Sequence, residues 1–245
     1  MKLSIIIPMY NEGRIIVDTA KILSSYMEAN FDSYEILFSD DGSTDGGGEL
    51  VRQLSLPYVK VTGYSENHGK GCAVRHAMLE ADGDLVIFTD ADLAYGTDVI
   101  RNIYEFYCDK SLDTDVHMII GSRNLGDDGY EGYSPIRKLM SKIYIRVLGL
   151  VGGFRLSDSQ CGCKAFRGDA AKEIFSRCTV DGFAFDFEAI LWADKLSYRI
   201  LEIPVKVINH RESKVRIVRD TLRMLQDLQR IRKRIQKTPI TTNKV

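Results

Sequence analysis

The sequence has no apolar run approaching the ~20 residues that span a bilayer, so any membrane it meets is expected to be touched from one side. Cysteine is scarce: five residues, at 72, 108, 161, 163 and 178, an odd number. No signal-peptide pattern precedes Leu3. The thiols are therefore expected to be reduced and the chain cytosolic, not stapled by disulfides. Cys161-Gly162-Cys163 could hold a metal, but no second Cys/His pair completes a zinc site, and two buried thiols are the simpler expectation. Internal repeats and linker-like stretches are absent too. With 245 residues, 44% of them hydrophobic, one domain in two lobes plus a tail is expected. An excess of one charge is also lacking, since the net charge is −1. That balance hides an asymmetry: residues 211–245 hold eleven Lys/Arg against three Asp/Glu, a local +8, so residues 1–210 carry −9. A basic tail on an acidic body points to an anionic surface as partner, a membrane or a nucleic acid.

What is present is an alternation of strands and helices. Residues 3–7 read as a short buried strand, stopped at Pro8, with a helix opening at Asn11/Glu12 and running to about 28. Strands follow at 34–39, 57–63 and 85–89, a helix at 69–81, another at about 97–108, and a strand at 116–121. The pattern predicts an α/β fold, a mostly parallel central sheet with helices on both faces. The second half is less regular: a Gly/Asp/Tyr loop at 126–133, a helix at 134–151, a strand at 162–166, a helix at 185–195, a strand at 199–209 interrupted at Pro204, and a long basic helix at 213–237.

In parallel sheets, ligands bind beyond the carboxyl ends of the strands. Three strands here end in polar clusters: Asn11/Glu12, Asp40/Asp41 and Asp90/Asp92. Asp90-Ala91-Asp92 closes the run Leu85-Val86-Ile87-Phe88-Thr89; on extended chain, residues i and i+2 point the same way. Two such carboxylates can grip one Mg²⁺ or Mn²⁺, ions that bridge protein carboxylates and substrate phosphates. A lone Asp-x-Asp more often caps a helix or solvates a turn, so the weight comes from the three clusters sharing one edge. Asp40 and Asp41 suit hydrogen bonds from a base N–H or ribose hydroxyls, while Ser43 or Thr44 suits a helix cap. Asn67-His68-Gly69-Lys70-Gly71 opens a helix. Its glycines would let backbone approach a ligand, and Lys70 offers a cation for phosphate; a plain turn with a solvated lysine is the competing reading.

Ile5-Ile6-Ile7-Pro8-Met9-Tyr10-Asn11-Glu12, Asp40-Asp41-Gly42-Ser43, Asn67-x-Gly69-Lys70-Gly71 and Asp90-Ala91-Asp92 come in an order and spacing that resemble the inverting family-2 glycosyltransferases of GT-A fold. Gly121-Ser122-Arg123, the stretch from Arg137 to Ser141, Asp158 to Phe166, Phe183 to Glu188, and Ser213-Lys214 resemble the polyprenyl-phosphate branch, which includes the dolichyl-phosphate glucosyl- and mannosyltransferases. The stretches Lys70–Arg75 and Gln160-Cys161-Gly162 look closer to the glucosyl enzymes. The resemblance covers nearly the whole chain. It implies that Pro8, Tyr10, Asn11, Glu12, Asp40 and Asp41 line the nucleotide, with Lys70, Asp90 and Ala91 also at the donor. It implies that Asp90 and Asp92 hold Mg²⁺ or Mn²⁺ on the donor diphosphate, with Gln160 a further ligand, and that Arg123, Arg137 and Lys214 bind the acceptor phosphate. Some members of that branch carry C-terminal transmembrane helices that this chain lacks. Attachment is then expected from elsewhere, a separate membrane-protein partner included.

The nucleophile decides which other groups are needed. A sugar hydroxyl needs a positioned base, and Asp186 is the candidate; Asp186 and Glu188 serve equally well to order the acceptor lobe or cap a helix. A phosphate monoester is already anionic, with a second pKa of about 6, and needs arginines to hold it. On a wheel for 136–151, Ile136, Leu139, Met140, Ile143, Val147, Leu150 and Val151 share a face, with Lys138, Lys142 and Arg146 on the other side. Either an interfacial membrane helix or a core-facing helix fits. Val218, Leu222, Leu225, Leu228, Ile231 and Ile235 stripe the basic tail, which suits an anionic leaflet or a partner helix. The tail lacks the interleaved aromatics of nucleic-acid binders, so no nucleic-acid partner is expected. The chain is thus expected to be a metal-dependent hexosyltransferase, peripheral on the cytoplasmic face of a membrane, with residues 1–125 as donor half, 126–210 as acceptor half and 211–245 as basic tail. UDP-glucose is the preferred donor and GDP-mannose the next. A family-2 enzyme acting on a glycan hydroxyl and a non-catalytic nucleotide- or lipid-binding scaffold are the alternatives.

Overall fold

The computed structural model describes residues 1–109, 115–126, 129, 135–209 and 217–239. A seven-stranded sheet lies at the centre, in the order β3-β2-β1-β4-β6-β5-β7. Its strands are β1 (Leu3–Met9), β2 (Tyr34–Asp41), β3 (Val59–Tyr64), β4 (Leu85–Thr89), β5 (Met118–Ser122), β6 (Cys163–Arg167) and β7 (Ile200–Pro204). β1, β4 and β5 are buried along their whole length. Their near-continuous apolar runs are what a strand covered on both faces requires. The expected mostly parallel sheet is the one observed; β6 alone runs against its neighbours, β4 and β5.

Two consequences position the site. The chain leaves β1 towards β2 and β3 on one side and returns to β4 on the other, so the strand order reverses between β1 and β4. Such a reversal opens a crevice at the carboxyl ends of the two strands. Because β6 is antiparallel, its first residues lie on that same edge, with Cys163 opposite Thr89. Residues 158–162 are thereby brought beside the loop that follows β4.

The helices are α1 (Ile16–Asn30), α2 (Gly47–Gln53), α3 (Lys70–Glu80), α4 (Asp98–Cys108), α5 (Pro135–Gly152), α6 (Gly168–Arg177), α7 (Phe185–Lys195) and α8 (Ile217–Lys237). In α1, Ile16, Ala20, Leu23 and Met27 recur at helical spacing and are buried. α7 is buried from Phe185 through Ala193, so it is a core helix, and Phe185 meets Phe88 of β4 at 5.8 Å between ring centroids. Full burial of a side chain such as Phe187 contributes about 1.5–3 kcal/mol. Two helices were not foreseen. α2 is seven residues long and hidden behind the glycines at 46–48, and α6 follows β6 directly at Gly168.

The two amphipathic segments part ways. The C-terminal stripe turns inward: Leu228, Ile231 and Ile235 are buried in the main core, and α8 lies against α7 and α5. Arg232 Nη1 donates to the Val151 carbonyl at 2.8 Å, and Arg234 pairs with the buried Glu188. Helix packing, not a leaflet, accounts for the described part of this stripe; Val218 and Leu222 have side chains outside the described residues. On α5, of the described residues on the wheel's apolar face, Val151 packs against the core. Ile145 and Leu148 are buried, whereas Ile143, Val147 and Leu150 are 53%, 37% and 82% exposed. Those three, at i, i+4 and i+7, form an apolar strip on the surface. Among the described residues no helix is long and apolar enough to cross a membrane.

Candidate active site

β4 ends at Thr89, and Asp90 enters a turn instead of continuing the strand. The Leu93 amide donates to the Asp90 carbonyl at 3.0 Å, Gly96 to Leu93 at 2.8 Å, and Leu93 takes φ 48°. The extended-chain argument for a shared direction of Asp90 and Asp92 therefore does not apply; the turn places them. It is held from three sides. Thr19 Oγ1 of α1 donates to the Ala91 carbonyl at 2.6 Å, Asn209 Nδ2 beyond β7 donates to the Asp92 and Leu93 carbonyls at 3.2 and 3.0 Å, and the Ala94 amide donates to Asp92 Oδ1 at 3.1 Å. Gly162 closes the fourth side. A Cβ there would lie 2.1 Å from Asp90 Oδ2, so only glycine lets the backbone entering β6 approach this carboxylate.

Lys70, the first residue of α3, donates from Nζ to Asp90 Oδ1 at 2.5 Å. Burial alone would lower its pKa, but Asp90, Asp186 and Asp92 outweigh that and raise it above the ordinary lysine value. The glycine loop before α3 differs from the expected backbone cradle for a ligand. The His68 and Gly69 amides donate to Asp41, and the Gly71 and Cys72 amides to the Asp181 carbonyl at 2.7 and 3.2 Å. A Cβ at Gly69 would meet the Asp181 carbonyl oxygen at 2.6 Å, and one at Gly71 the Val180 oxygen at 2.4 Å. These glycines admit the backbone of 180–182. Lys70 is the group the loop presents to the site.

The ends of β1 and β2 are stitched together. Asn11, at φ 52°, donates its amide to Ser43 Oγ at 3.0 Å and accepts the Thr44 amide on Oδ1 at 2.8 Å. Asp45, to which no role was given from sequence, accepts the Gly13 amide at 2.7 Å and the Gly47 amide at 3.0 Å on its two oxygens. The Glu12 carbonyl accepts the first amides of α1, Pro8 is buried in β1, and Tyr10 is exposed. Asp40 and Asp41 divide in character. Asp40 accepts the Ser43 amide at 2.9 Å and is part-exposed. Asp41 is buried and accepts Tyr64 Oη at 2.8 Å, Asn67 Nδ2 at 2.7 Å and the loop amides. Its oxygens are spent inside the protein, so it shapes the pocket from behind.

On the β6 side, Arg123 follows β5 and grips Asp158 through Nε at 2.6 Å and Nη2 at 2.9 Å. Asp158 is fully buried. Its segment is clamped by Glu202 of β7, which accepts the Ser157 amide at 2.9 Å and the Asp158 amide at 3.1 Å. Burial would weaken the Arg123 charge, but Asp158 raises its pKa well above the ordinary value. Gln160 stands two residues beyond Asp158, and its Nε2 is buried without a partner. Asp186, at the start of α7, accepts Lys164 Nζ on Oδ1 at 2.6 Å. Lys164 also donates to the Cys161 carbonyl at 2.7 Å. Burial pushes the Asp186 carboxyl up, against the pull of Lys164 and Lys70. Cys161 and Cys163 are buried free thiols, as expected. The Arg137 side chain and Lys214 lie outside the described residues.

Asp90, Asp92, Lys70, Gln160, Asp186 and Arg123 thus belong to elements that converge on one sheet edge. Their donors fit a hard divalent ion: carboxylates and an amide, with Lys70 already showing the demand for a cation at Asp90. Among the described residues no group of three or more His, Cys, Asp or Glu is disposed around a metal, so an ion held here would take further oxygens from a bound substrate.

A mostly parallel α/β sheet with acidic turns at its switch point can hold a ligand beyond its strand ends. The family model described as Glycosyl transferase family 2 matches residues 4–175, and the chain belongs to that family. It is 31% identical over 246 residues to the dolichyl-phosphate beta-glucosyltransferase of Saccharomyces cerevisiae, a match covering 94% of this chain and 74% of that protein. A protein of the same name from Dictyostelium discoideum is 29% identical over 244 residues, covering 94% and 73%. Among solved structures, the glucosyl-3-phosphoglycerate synthase of Mycobacterium tuberculosis, in complex with Mn²⁺, UDP and glucosyl-3-phosphoglycerate, superposes with a TM-score of 0.66 at 16% identity, covering 98% of this chain and 81% of that one. The mannosyl-3-phosphoglycerate synthase of Rubrobacter xylanophilus gives 0.64 at 18%, covering 100% and 78%. That likeness concerns the fold, which is GT-A.

Proposed function

We propose that the protein transfers a hexose, with inversion, from a nucleotide sugar to a polyprenyl phosphate of dolichyl type, with UDP-glucose as donor. The observation that carries this reading is the Asp90–Asp92 turn at the β1/β4 switch point, with Lys70 on Asp90, in a chain that aligns over most of its length with dolichyl-phosphate beta-glucosyltransferases. Residues 1–125 supply the donor half, with Pro8, Tyr10, Asn11, Glu12, Asp40 and Ala91 around the nucleotide. Residues 126–210 supply the acceptor half, and α8 braces α7.

Asp90 and Asp92, with Gln160, would hold Mg²⁺ or Mn²⁺, which neutralises the departing diphosphate when bound. Lys70 adds a second positive charge to the same leaving group. Arg123 arrives pre-oriented: Asp158 fixes the guanidinium plane through two of its five donors. A fixed guanidinium suits an acceptor phosphate, and Arg137 and Lys214 are assigned to the same anion. The phosphate needs no base, consistent with Asp186 having one oxygen committed to Lys164. That commitment weighs against the glycan-hydroxyl alternative, in which Asp186 would take a proton.

The acceptor's lipid chain calls for contact with a membrane, and the strip Ile143, Val147 and Leu150 beside the exposed Arg146 supports docking on the cytoplasmic face of an anionic bilayer. Leu125, Phe183 and Ile208 are further exposed apolar side chains, all in loops at or near the edge that carries the site. The test is a panel of UDP-glucose and GDP-mannose with polyprenyl phosphate, with and without Mn²⁺, read by product mass. Hexosyl polyprenyl phosphate from UDP-glucose is expected. Transfer only to a glycan hydroxyl, or none with any pair, overturns the proposal.

A further inference from the structure

Lys70 holds an unusual place for a lysine. It is the first residue of α3, where the helix dipole disfavours a cation, and the first turn of α3 has no acidic residue to offset it. Its side chain is only 25% exposed, and its Nζ lies in the combined field of Asp90, Asp186 and Asp92. The surrounding backbone is locked, since Asp41 and the Asp181 carbonyl occupy the neighbouring amides. The flexible side chain of Lys70 can move without breaking that loop.

We infer that Lys70 is a built-in counter-cation for the Asp90 carboxylate: it occupies that carboxylate when no divalent ion is bound, and shifts to the donor diphosphate when ion and nucleotide enter. The inference rests on the reading of Asp90 and Asp92 as metal ligands. An Mg²⁺ or Mn²⁺ ion on Asp90 would sit about 2.1 Å from a carboxylate oxygen. An ammonium kept at 2.5 Å from Oδ1 of the same carboxylate would then be a close like charge, repelled in a partly buried site. The diphosphate provides the nearest new anion, and transfer of the ammonium to it couples ion binding to nucleotide binding. The free carboxylates would thus hold a divalent ion weakly by themselves and firmly only together with the nucleotide.

The test is equilibrium binding of Mn²⁺ to the full chain, followed by the electron paramagnetic resonance of the free ion, with and without UDP. Lys70→Met removes the competing charge at nearly constant length. It is expected to bind Mn²⁺ alone roughly tenfold more tightly than the natural protein, the scale of one charge-assisted hydrogen bond no longer to be broken. With UDP present that advantage should vanish or reverse. Lys70→Arg, which keeps the charge, should stay near the natural protein. Lys70→Gln carries the same expectation as Lys70→Met should the latter not fold. A folded Lys70→Met or Lys70→Gln protein that binds Mn²⁺ with UDP but gains nothing without it overturns the inference and leaves the metal reading standing. No Mn²⁺ binding by the natural protein even with UDP overturns both.

Discussion

Removing Lys164 tests whether Asp186 is held as an ion. Lys164 sits on β6 with its side chain 1% exposed, facing an Asp186 side chain 12% exposed. Breaking a buried pair by deleting one partner costs about 3–5 kcal/mol, because the remaining charge is uncompensated. A second route limits the loss. In Lys164→Met, Asp186 can take up a proton, and moving a carboxyl from its ordinary pKa of 3.8 to neutrality at pH 7 costs about 4 kcal/mol at 1.36 kcal/mol per unit. The Cys161 carbonyl loses its partner as well, adding about 1 kcal/mol. The variant is therefore expected to be less stable by about 3–5 kcal/mol at pH 7, Lys70 nearby keeping the loss from running higher. The sign of the pH dependence follows. A carboxyl whose folded pKa is raised destabilises fully above that pKa and not at all below its unfolded value. The deficit should accordingly shrink as pH falls from 7 towards 4. Urea unfolding at pH 5 and pH 7.5 measures it. A deficit under about 1 kcal/mol at pH 7.5, or one that grows on acidification, would refute a compensated ion pair. Lys164→Met with Asp186→Leu should recover much of the loss, since replacing both charges by apolar groups is often neutral.

Other perturbations separate the donor side, the frame and the surface. Asp92→Ala should reduce transfer by roughly a hundredfold or more, the scale of one lost electrostatic contact, with the circular dichroism unchanged; full activity would remove Asp92 from the donor site. Asp45→Ala frees the Gly13 and Gly47 amides, and should cost about 1–3 kcal/mol in urea unfolding while raising the donor KM more than it lowers kcat. Val147→Asp on the exposed strip of α5 should leave the melting temperature within a few degrees but reduce flotation with liposomes containing anionic lipid; undiminished flotation would take α5 out of the docking surface.

The fold was legible where burial and period agree. β1, β4 and β5 are near-continuous apolar runs, and α1, α4 and α7 begin and end within a few residues of their expected bounds. Where the apolar pattern has two solutions, it could not decide. On α5 Ile143, Val147 and Leu150 face outward while Ile145 and Leu148 face in; on α8 Leu228, Ile231 and Ile235 go to the core. A helical wheel records only which residues share a face, and what lies opposite depends on long-range neighbours. β6 was legible as a strand, but its direction was not. That direction is the fact that carries residues 158–162 to Asp90.

Polar residue types signalled the site but could not separate groups that hold the loops from groups left to act. Asp40 and Asp41 are adjacent and chemically identical, yet Asp41 is consumed by five donated hydrogen bonds from residues 64–69 and Asp40 is not. The glycines at 69 and 71 suggested space for a phosphate and instead admit the backbone of 180–182. One missed residue did carry a signal. Lys164 interrupts the apolar run Cys163 to Phe166, and lysine is almost never fully buried without a partner. A cation in that position demanded an anion at the same edge, and Asp186 supplies it. Lys70 obeys the same logic on the other side of the crevice: a partly buried ammonium at a helix start requires carboxylates, and Asp90 supplies the nearest. The two lysines therefore place Asp186 and Asp90 in one charged crevice, where a divalent ion would alter the balance of both pairs.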